Sequence, residues 1–550
     1  MPPLTDPIDG VLAVRHGDTS DGVDLLARHA TVPAPARGSQ RDPRPTSATP
    51  PSGTGTRMSP VTIYGLCAVA FMMAMYALER RGRIYIVGFA LGCLAASAYG
   101  FLSGAWPFGV AEIVWSAIAL LRLRRPATPP NSCGSVGASV VPRVRSTGVT
   151  PAPASPWTLD RARVLDAEDP IGGARRAFSI PPGVVYLNAN SLGPLAAAVP
   201  ARVRRTVEEE WGVTLSKGWT EHAWMEWPLR IGDRIAPVIG AMPGEVLVAD
   251  TTSIALTKVL GAALRARPTR RVVLSSTDNF PSDLYVAMGA ARASGAQLEV
   301  VDRTELEEAL DDRVAVCCLT QVDFRTGALH DLPRITAAAH RVGALVVWDL
   351  CHSAGAVPVG CDAHDVDLAV GCTYKYLNGG PGSPSFLYVR RHLQRELENP
   401  LPGWLGHADP FGFALDWEPA EGIGRFLTSS PPVIALAALD AALDVFDGVS
   451  IDTIRKKSKA LGELFVGVVA DAGVPSIELA SPASAGDRGA QVSLRHPRAA
   501  ELLAGAADRG VVGDFRPPSL CRFGMSPLAL SFEDVWHAAE TVADVARSLG

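Results

Sequence analysis

The chain has 550 residues, with 51 Lys and Arg against 56 Asp and Glu and a formal net charge of −5. That length calls for several domains and at least one large core, and the slightly acidic balance argues against nucleic acid as a partner. Nine cysteines at irregular spacing without a CxxC pair, and eleven histidines without an HExxH group, read as reduced thiols with no metal site.

Residues 1–57 are expected to be disordered: "TVPAPARGSQRDPRPTSATPPSGTG" holds few groups to bury. No basic-plus-apolar leader starts the chain. Residues 58–125 read as a membrane module. Residues 58–78 and 84–111 carry no formal charge, and "EIVWSAIAL" follows. Basic clusters at 80–83 and 122–125 place both ends on the cytoplasmic side. Passes at 60–78, 84–104 and 106–121 satisfy this, the third being short and holding Pro107 and Glu112. This segment implies a membrane-lipid partner and a cytoplasmic catalytic part tethered to the cytoplasmic membrane. Residues 126–156, rich in Pro, Ser and Gly, form a flexible linker.

From 157 onward, short β-branched runs alternate with Ala/Leu/Arg-rich stretches. "EVLVAD", "RRVVLSSTD", "AQLEVVD", "VAVCCLT", "ALVVWDL", "DLAVGC" and "SFLYVRR" read as strands. The stretches after the first, second, third and fourth read as helices, the third of them a short helix at "TELEEALDD". Strands apolar on both faces, separated by helices, predict an α/β fold with a mostly parallel seven-stranded sheet. Residues 157–430 make the large domain, and 431–550 a smaller α+β domain opened by the helix of 431–447. No GxGxxG or Walker motif is present.

Ligands in such folds sit beyond the carboxyl ends of strands. Thr252 and Ser253 open a helix there and can hold a phosphate or serve as an ordinary cap. Phe280 in "DNFPSD" can lie against an aromatic ring, with Asp283 capping the next helix. Asp349 ends the strand "VVWD", with His352 three residues on. A carboxylate beneath a pyridine ring keeps the ring nitrogen protonated and makes the ring an electron sink. Lys375 follows 26 residues later in "GCTYKYLNGGPGSP", an apolar, glycine-rich setting. A lysine there either snorkels to solvent or forms an imine, and burial would help it lose its proton. Tyr374 beside it can bond a phosphate or relay a proton.

These motifs, with "YLNANSLGPL", "DTTSI", "WDLCHSAGAVPV" and "GWLGHADPF", resemble the kynureninase family, pyridoxal-phosphate enzymes of fold type I, over residues 157–550. The resemblance implies a homodimer that hydrolyses L-kynurenine, and its 3-hydroxy form in a secondary role, to an anthranilate and L-alanine with pyridoxal 5'-phosphate. It implies that Lys375, Tyr374 and Asp349 are catalytic. Thr252, Ser253, Phe280, Ser282, Asp283, His352, Trp404 and Ser430 would complete the cofactor site. Arg522 would bind the substrate α-carboxylate, and Asn190, Ser191 and Trp219 would line the substrate end. Two other readings stand beside it: another fold type I lyase or desulfurase, which needs a mobile reactive cysteine, and a membrane scaffold with a degenerate enzyme domain.

Overall fold

The computed structural model describes residues 156–550, the helix α1 (Arg83–Leu102) and single positions at 64, 68, 71, 75 and 116. The expected disordered segment 1–57 and nearly all of the linker 126–156 lie outside the described residues. So do most of the expected passes at 60–78 and 106–121. Among the described residues no helix is long and apolar enough to cross a membrane. The side chains of α1 are described only over residues 87–98, too few for a span. Within that stretch Ala90, Cys93 and Ala96 are buried while Leu91 and Leu94 are exposed. Tyr64 donates its hydroxyl to the Ala95 carbonyl (3.1 Å), and Ser116 donates to that of Ala90 (3.0 Å).

Residues 147–550 form a separate unit. Single-turn pieces aside, it begins with α2 (Leu159–Ala167), β1 (Val185–Tyr186), α3 (Val199–Arg205) and α4 (Trp227–Ile239). The sheet region follows: β2 (Val246–Val248), α5 (Thr252–Ala266), β3 (Val272–Ser276), α6 (Pro281–Ala293), β4 (Gln297–Val301), β5 (Val314–Thr320), α7 (Leu332–Arg341), β6 (Leu345–Asp349), β7 (Leu368–Gly371) and β8 (Phe386–Val389). The chain ends with α8 (Val433–Ala442), α9 (Ile451–Asp471), β9 (Glu478–Leu479), β10 (Gln491–Arg495), α10 (Ala499–Ala507), β11 (Val511–Val512), β12 (Asp514–Arg516), β13 (Leu520–Gly524) and α11 (Phe532–Leu549).

The predicted strands form one seven-stranded sheet in the order β2-β8-β7-β6-β5-β3-β4. Every pairing from β7 to β4 is parallel, and β8 runs antiparallel to both β7 and β2. Both faces are covered, as unbroken apolar strands require. Val346 and Trp348 of β6 enter one core, and Leu345 and Val347 enter the other. Only β4, at the edge, is partly exposed.

Three details differ from the sequence reading. Residues 304–312 form turns rather than a short helix. Asp302 holds the amide and hydroxyl of Thr304 at 3.0 and 2.7 Å, a capping contact, yet the chain continues only as turns. Helix α8 was expected to open the small domain. Its Leu436, Ala437 and Leu439 instead pack into the core of the large sheet. The amino-terminal stretch, expected in the large domain, belongs in part to the small one. Ala162 and Leu187 are buried there with Phe465 and Phe523, and β1 pairs in parallel with β11. Asp166 accepts from the first amides of α11, at Phe532 and Glu533 (2.7 and 2.9 Å). A buried ion pair between Asp169 and Lys457 (2.7 Å) adds a second tie. The small domain's sheet, β12-β13-β10-β9, is antiparallel and backed by α9, α10 and α11.

Candidate active site

The carboxyl ends of the parallel strands meet at a cleft of about 360 Å³. Thr252, Ser253, Phe280, Ser282, Asp283, Asp349, His352, Tyr374 and Lys375 all line it, nine of the predicted residues. Each arrives by a short excursion from the sheet. Asp349 is the last residue of β6, His352 follows in the next turn, and Tyr374 and Lys375 lie in the turn after β7.

One end of the cleft is built by two helix starts. Thr252 and Ser253 open α5, and Ser282 lies in the first turn of α6. The hydroxyls of Ser253 and Ser282 stand 3.4 Å apart. The first-turn amides of α5, with the Ser282 amide of α6 and the hydroxyls between them, suit a phosphate; Pro281 has no N–H and the Asp283 amide already donates to the Phe280 carbonyl (2.9 Å). Phe280 caps α6 and meets Phe324 edge to face at 5.0 Å, keeping one ring face open to the cleft side.

The other end holds a carboxyl pair. Asp349 is buried, and its Oδ1 accepts from the Cys351 amide at 2.7 Å. Asp283 does not act as a cap. It turns inward, where burial first and Asp349 second push its carboxyl well above the usual range. It therefore holds a proton toward Asp349, while its Oδ2 is buried and unpartnered. A positively charged nitrogen at this end would satisfy both groups.

Lys375 differs from the sequence expectation. Burial does pull its ammonium down, but the acidic groups Cys372, Cys351, Tyr374 and Asp349 outweigh burial and hold it above its ordinary value. Its Nζ lies 5.7 Å from the Tyr374 ring centroid. The free lysine is thus held toward its charged form, and must give up its proton before it can attack an aldehyde. Burial also pushes the Tyr374 phenol up to about 12, with Cys372 adding to the shift, so it keeps its proton at neutral pH. His352 is neutral: burial, then the charges of Lys375 and Arg522, lower it well below its ordinary value. Its Nε2–H donates to the Asn190 carbonyl at 3.1 Å.

Asn190 is buried and donates to Gln491 at 3.0 Å. Its loop, which includes Ser191, is pressed on the lysine turn. The Gly193 amide donates to the Tyr374 carbonyl (2.8 Å), and a Cβ on Gly193 would stand 2.1 Å from the Lys375 carbonyl. Only glycine permits that approach. Arg522, on β13, is buried and already engaged. Its fork grips Asp514 across the β12–β13 register, and Nη1 donates to the Phe324 carbonyl at 2.5 Å.

Three predicted residues lie elsewhere in this chain. Ser430 and Trp219 line a larger, mainly apolar groove of about 850 Å³, where Trp219 packs edge to face on Trp224 (5.3 Å). Trp404 lies in a separate surface pocket against Phe411.

Sequence reasoning missed Thr320, Phe324, Cys351 and Ser383, which also line the cleft. Thr320 pairs in register with Asp349, and its place at a strand end was the signal available. It also missed Lys258, a fully buried lysine held by Asp250 (2.5 Å) and the Phe426 carbonyl (2.8 Å). That lysine is paired and lines none of the cavities described here, which separates it from Lys375.

An open lysine, a strand-end carboxylate and a hydroxyl-lined pair of helix starts, set on a seven-stranded, mostly parallel sheet, define a pyridoxal-phosphate enzyme of fold type I. Solved structures share the fold. The cysteine desulfurase CsdA from Escherichia coli superposes with a TM-score of 0.59 at 18% identity, covering 69% of this chain and 98% of that one. The cystine C–S lyase C-DES gives a TM-score of 0.56 at 17% identity, covering 66% and 97%. The family model for the kynureninase C-terminal domain matches residues 454–542. Kynureninase from Burkholderia pseudomallei (strain 1106a) is 45% identical over 397 residues, covering 70% of this chain and 95% of the relative. That from Deinococcus radiodurans is 46% identical over 401 residues, covering 71% and 97%. The chain belongs to the kynureninase family.

Replacing Lys375 with Ala is expected to remove the visible absorbance of the cofactor-loaded protein and to lower turnover by about 10²–10⁴-fold or more. Lys258→Met should keep the absorbance. A borohydride-reduced cofactor adduct on another lysine of the Lys375 variant would refute the assignment.

Proposed function

We infer that this chain hydrolyses L-kynurenine to anthranilate and L-alanine. The observation that carries the reading is the cleft itself: one cavity lined by the carboxyl groups Asp283 and Asp349, by Lys375, and by the helix-start hydroxyls of Ser253 and Ser282. These residues fit pyridoxal phosphate. Ser253, Ser282, the first amides of α5 and the Ser282 amide would hold its phosphate, Phe280 its ring face, and Asp349 with Asp283 its ring nitrogen. When bound, the group supplies an electron sink for a carbanion next to the substrate amine.

The chain's own residues do the rest. Lys375 would hold the cofactor, and its amine is placed to take the substrate α-proton. Asp349 keeps positive charge at its end of the cleft. Tyr374, protonated at neutral pH, donates toward the substrate carbonyl oxygen as water adds to the γ-carbon and the Cβ–Cγ bond breaks. Arg522 is the residue proposed for the α-carboxylate; in this chain its fork holds Asp514 and its Nη1 donates to the Phe324 carbonyl, so the role requires those contacts to yield. The balance is one water consumed per anthranilate and alanine released. A desulfurase reading needs an exposed, mobile cysteine, and all seven cysteines among the described residues are buried.

The reading extends to a homodimer whose second copy completes the cleft. Support comes from Trp404 and Ser430, which lie outside the cleft of their own chain, and from the exposed apolar side chains Phe411, Phe413 and Leu415 near Trp404. Mixing Lys375→Ala with Trp404→Ala chains should restore activity in the hybrid; a fully active monomer by light scattering would exclude the arrangement.

Substrate preference follows from the apolar groove that holds Trp219 and Ser430. It offers few partners for an extra ring hydroxyl, and an unpaired hydroxyl costs binding. L-Kynurenine should therefore be preferred to 3-hydroxykynurenine in kcat/KM, by about 10-fold on the scale of one unmatched polar group. A clear preference for the hydroxylated substrate would reverse this.

Residues 58–125 are proposed to tether the enzyme to the cytoplasmic membrane, with the catalytic part in the cytoplasm. Support comes from their charge-free runs, their basic flanks, and the exposed Leu91 and Leu94 beside small buried residues on α1. The intact chain should sediment with membranes after a high-salt wash. Recovery in the supernatant at native expression would overturn the tether.

A further inference from the structure

Lys258 is fully buried on α5 and does not line the cleft. A buried ammonium is costly unless it is paired. Its Nζ donates to Asp250 Oδ2 (2.5 Å) and to the Phe426 carbonyl (2.8 Å). Burial pulls the ammonium down, and Asp250 is the group that opposes this.

Asp250 stands in the turn between β2 and α5, and its backbone is left-handed, with φ +55°. Residues other than glycine enter that region at a cost, so the turn needs holding. Backbone and side chain both hold it. The Ser385 amide donates to the Asp250 carbonyl (3.1 Å), and the Ser385 hydroxyl donates to that of Ala249 (2.8 Å). Lys258 holds the carboxylate. The next three residues, Thr251, Thr252 and Ser253, all line the cleft. Helix α5 makes its first backbone bond from the Ala255 amide to the Thr251 carbonyl (2.9 Å), so the amides of Thr252, Ser253 and Ile254 precede the helix's own ladder. Thr251, the N-cap, makes no side-chain capping bond to them. The Asp250 turn therefore sets where those amides point.

The carboxylate also has an electrostatic consequence. Negative charge one residue ahead of a helix start is drawn to the helix's first amides, and it repels a phosphate dianion. Lys258 neutralises that charge and pins the side chain that bears it. We propose, on the pyridoxal-phosphate reading of the cleft, that Lys258 is a positioning residue: through Asp250 it sets the start of α5 to receive the cofactor phosphate.

The test titrates the intact, cofactor-free chain and reads imine formation as visible absorbance, without turnover. Two probes separate the roles: pyridoxal 5'-phosphate, and pyridoxal, which has the same ring and aldehyde but no phosphate. Lys258→Met should weaken pyridoxal 5'-phosphate by about 10- to 100-fold, the scale of one charge-assisted hydrogen bond, and leave pyridoxal unchanged. At saturating cofactor the variant keeps its absorbance. Adding Asp250→Asn removes the stranded charge, and asparagine tolerates a left-handed turn. The double variant should therefore recover most of the lost affinity although it lacks the ion pair. Equal weakening of both probes, or a double variant that binds no better than Lys258→Met, overturns the proposal. Should Lys258→Met not fold, the double variant decides alone: affinity for pyridoxal 5'-phosphate near that of the wild type supports the proposal, and a loss overturns it. A wild-type chain that forms no imine with either probe would overturn the cofactor reading and the proposal with it, whereas the other outcomes leave that reading standing.

Discussion

The active cleft depends on one electrostatic constraint. Two carboxyl groups, Asp349 and Asp283, are buried side by side at the end of a parallel sheet. Two negative charges cannot coexist there at low cost, so one carboxyl keeps a proton unless a cation arrives. Lys375 and its acidic neighbours form the complementary half, which favours the lysine's charged form. A cofactor with an aldehyde at one end and a basic ring nitrogen at the other relieves both halves in a single binding event.

The sheet makes this arrangement affordable. Strands β5, β6 and β7 are parallel and in register, so Thr320, Asp349 and the Lys375 turn emerge on the same edge. The helices that return the chain to the next strand begin at that edge, and their unpaired amides gather at the phosphate end. Dense apolar cores on both faces of the sheet fix the strand ends. The polar residues beyond them need only short turns to reach their places.

The small domain reaches the site through few contacts. Arg522 on β13 meets Asp514 and the Phe324 carbonyl, while the Asn190 loop bridges Gln491 on β10 and His352 beside the lysine turn. The amino-terminal stretch is anchored to the small domain by β1, Asp166 and Asp169, and it then crosses to press Gly193 against Lys375.

The sequence by itself determined the strands, because unbroken Val, Ile and Leu runs can be satisfied only by burial on both faces. It also marked Asp349 and Lys375 as polar residues that follow such runs, and both line the cleft. Other features had no local signature. Asp283 reads as a helix cap, and only the proximity of Asp349 turns it into a proton-bearing partner. Burial alone predicts a depressed lysine, and only the surrounding acids reverse the sign for Lys375. The short helix expected at 304–312 is a run of turns despite the capping contact of Asp302. The amino-terminal stretch joined the small domain because its partner strand, β11, lies more than 300 residues away along the chain. Trp219, Trp404 and Ser430 stand apart from Lys375 for the same reason: which surfaces meet is set by long-range packing, and no periodicity in the sequence encodes it.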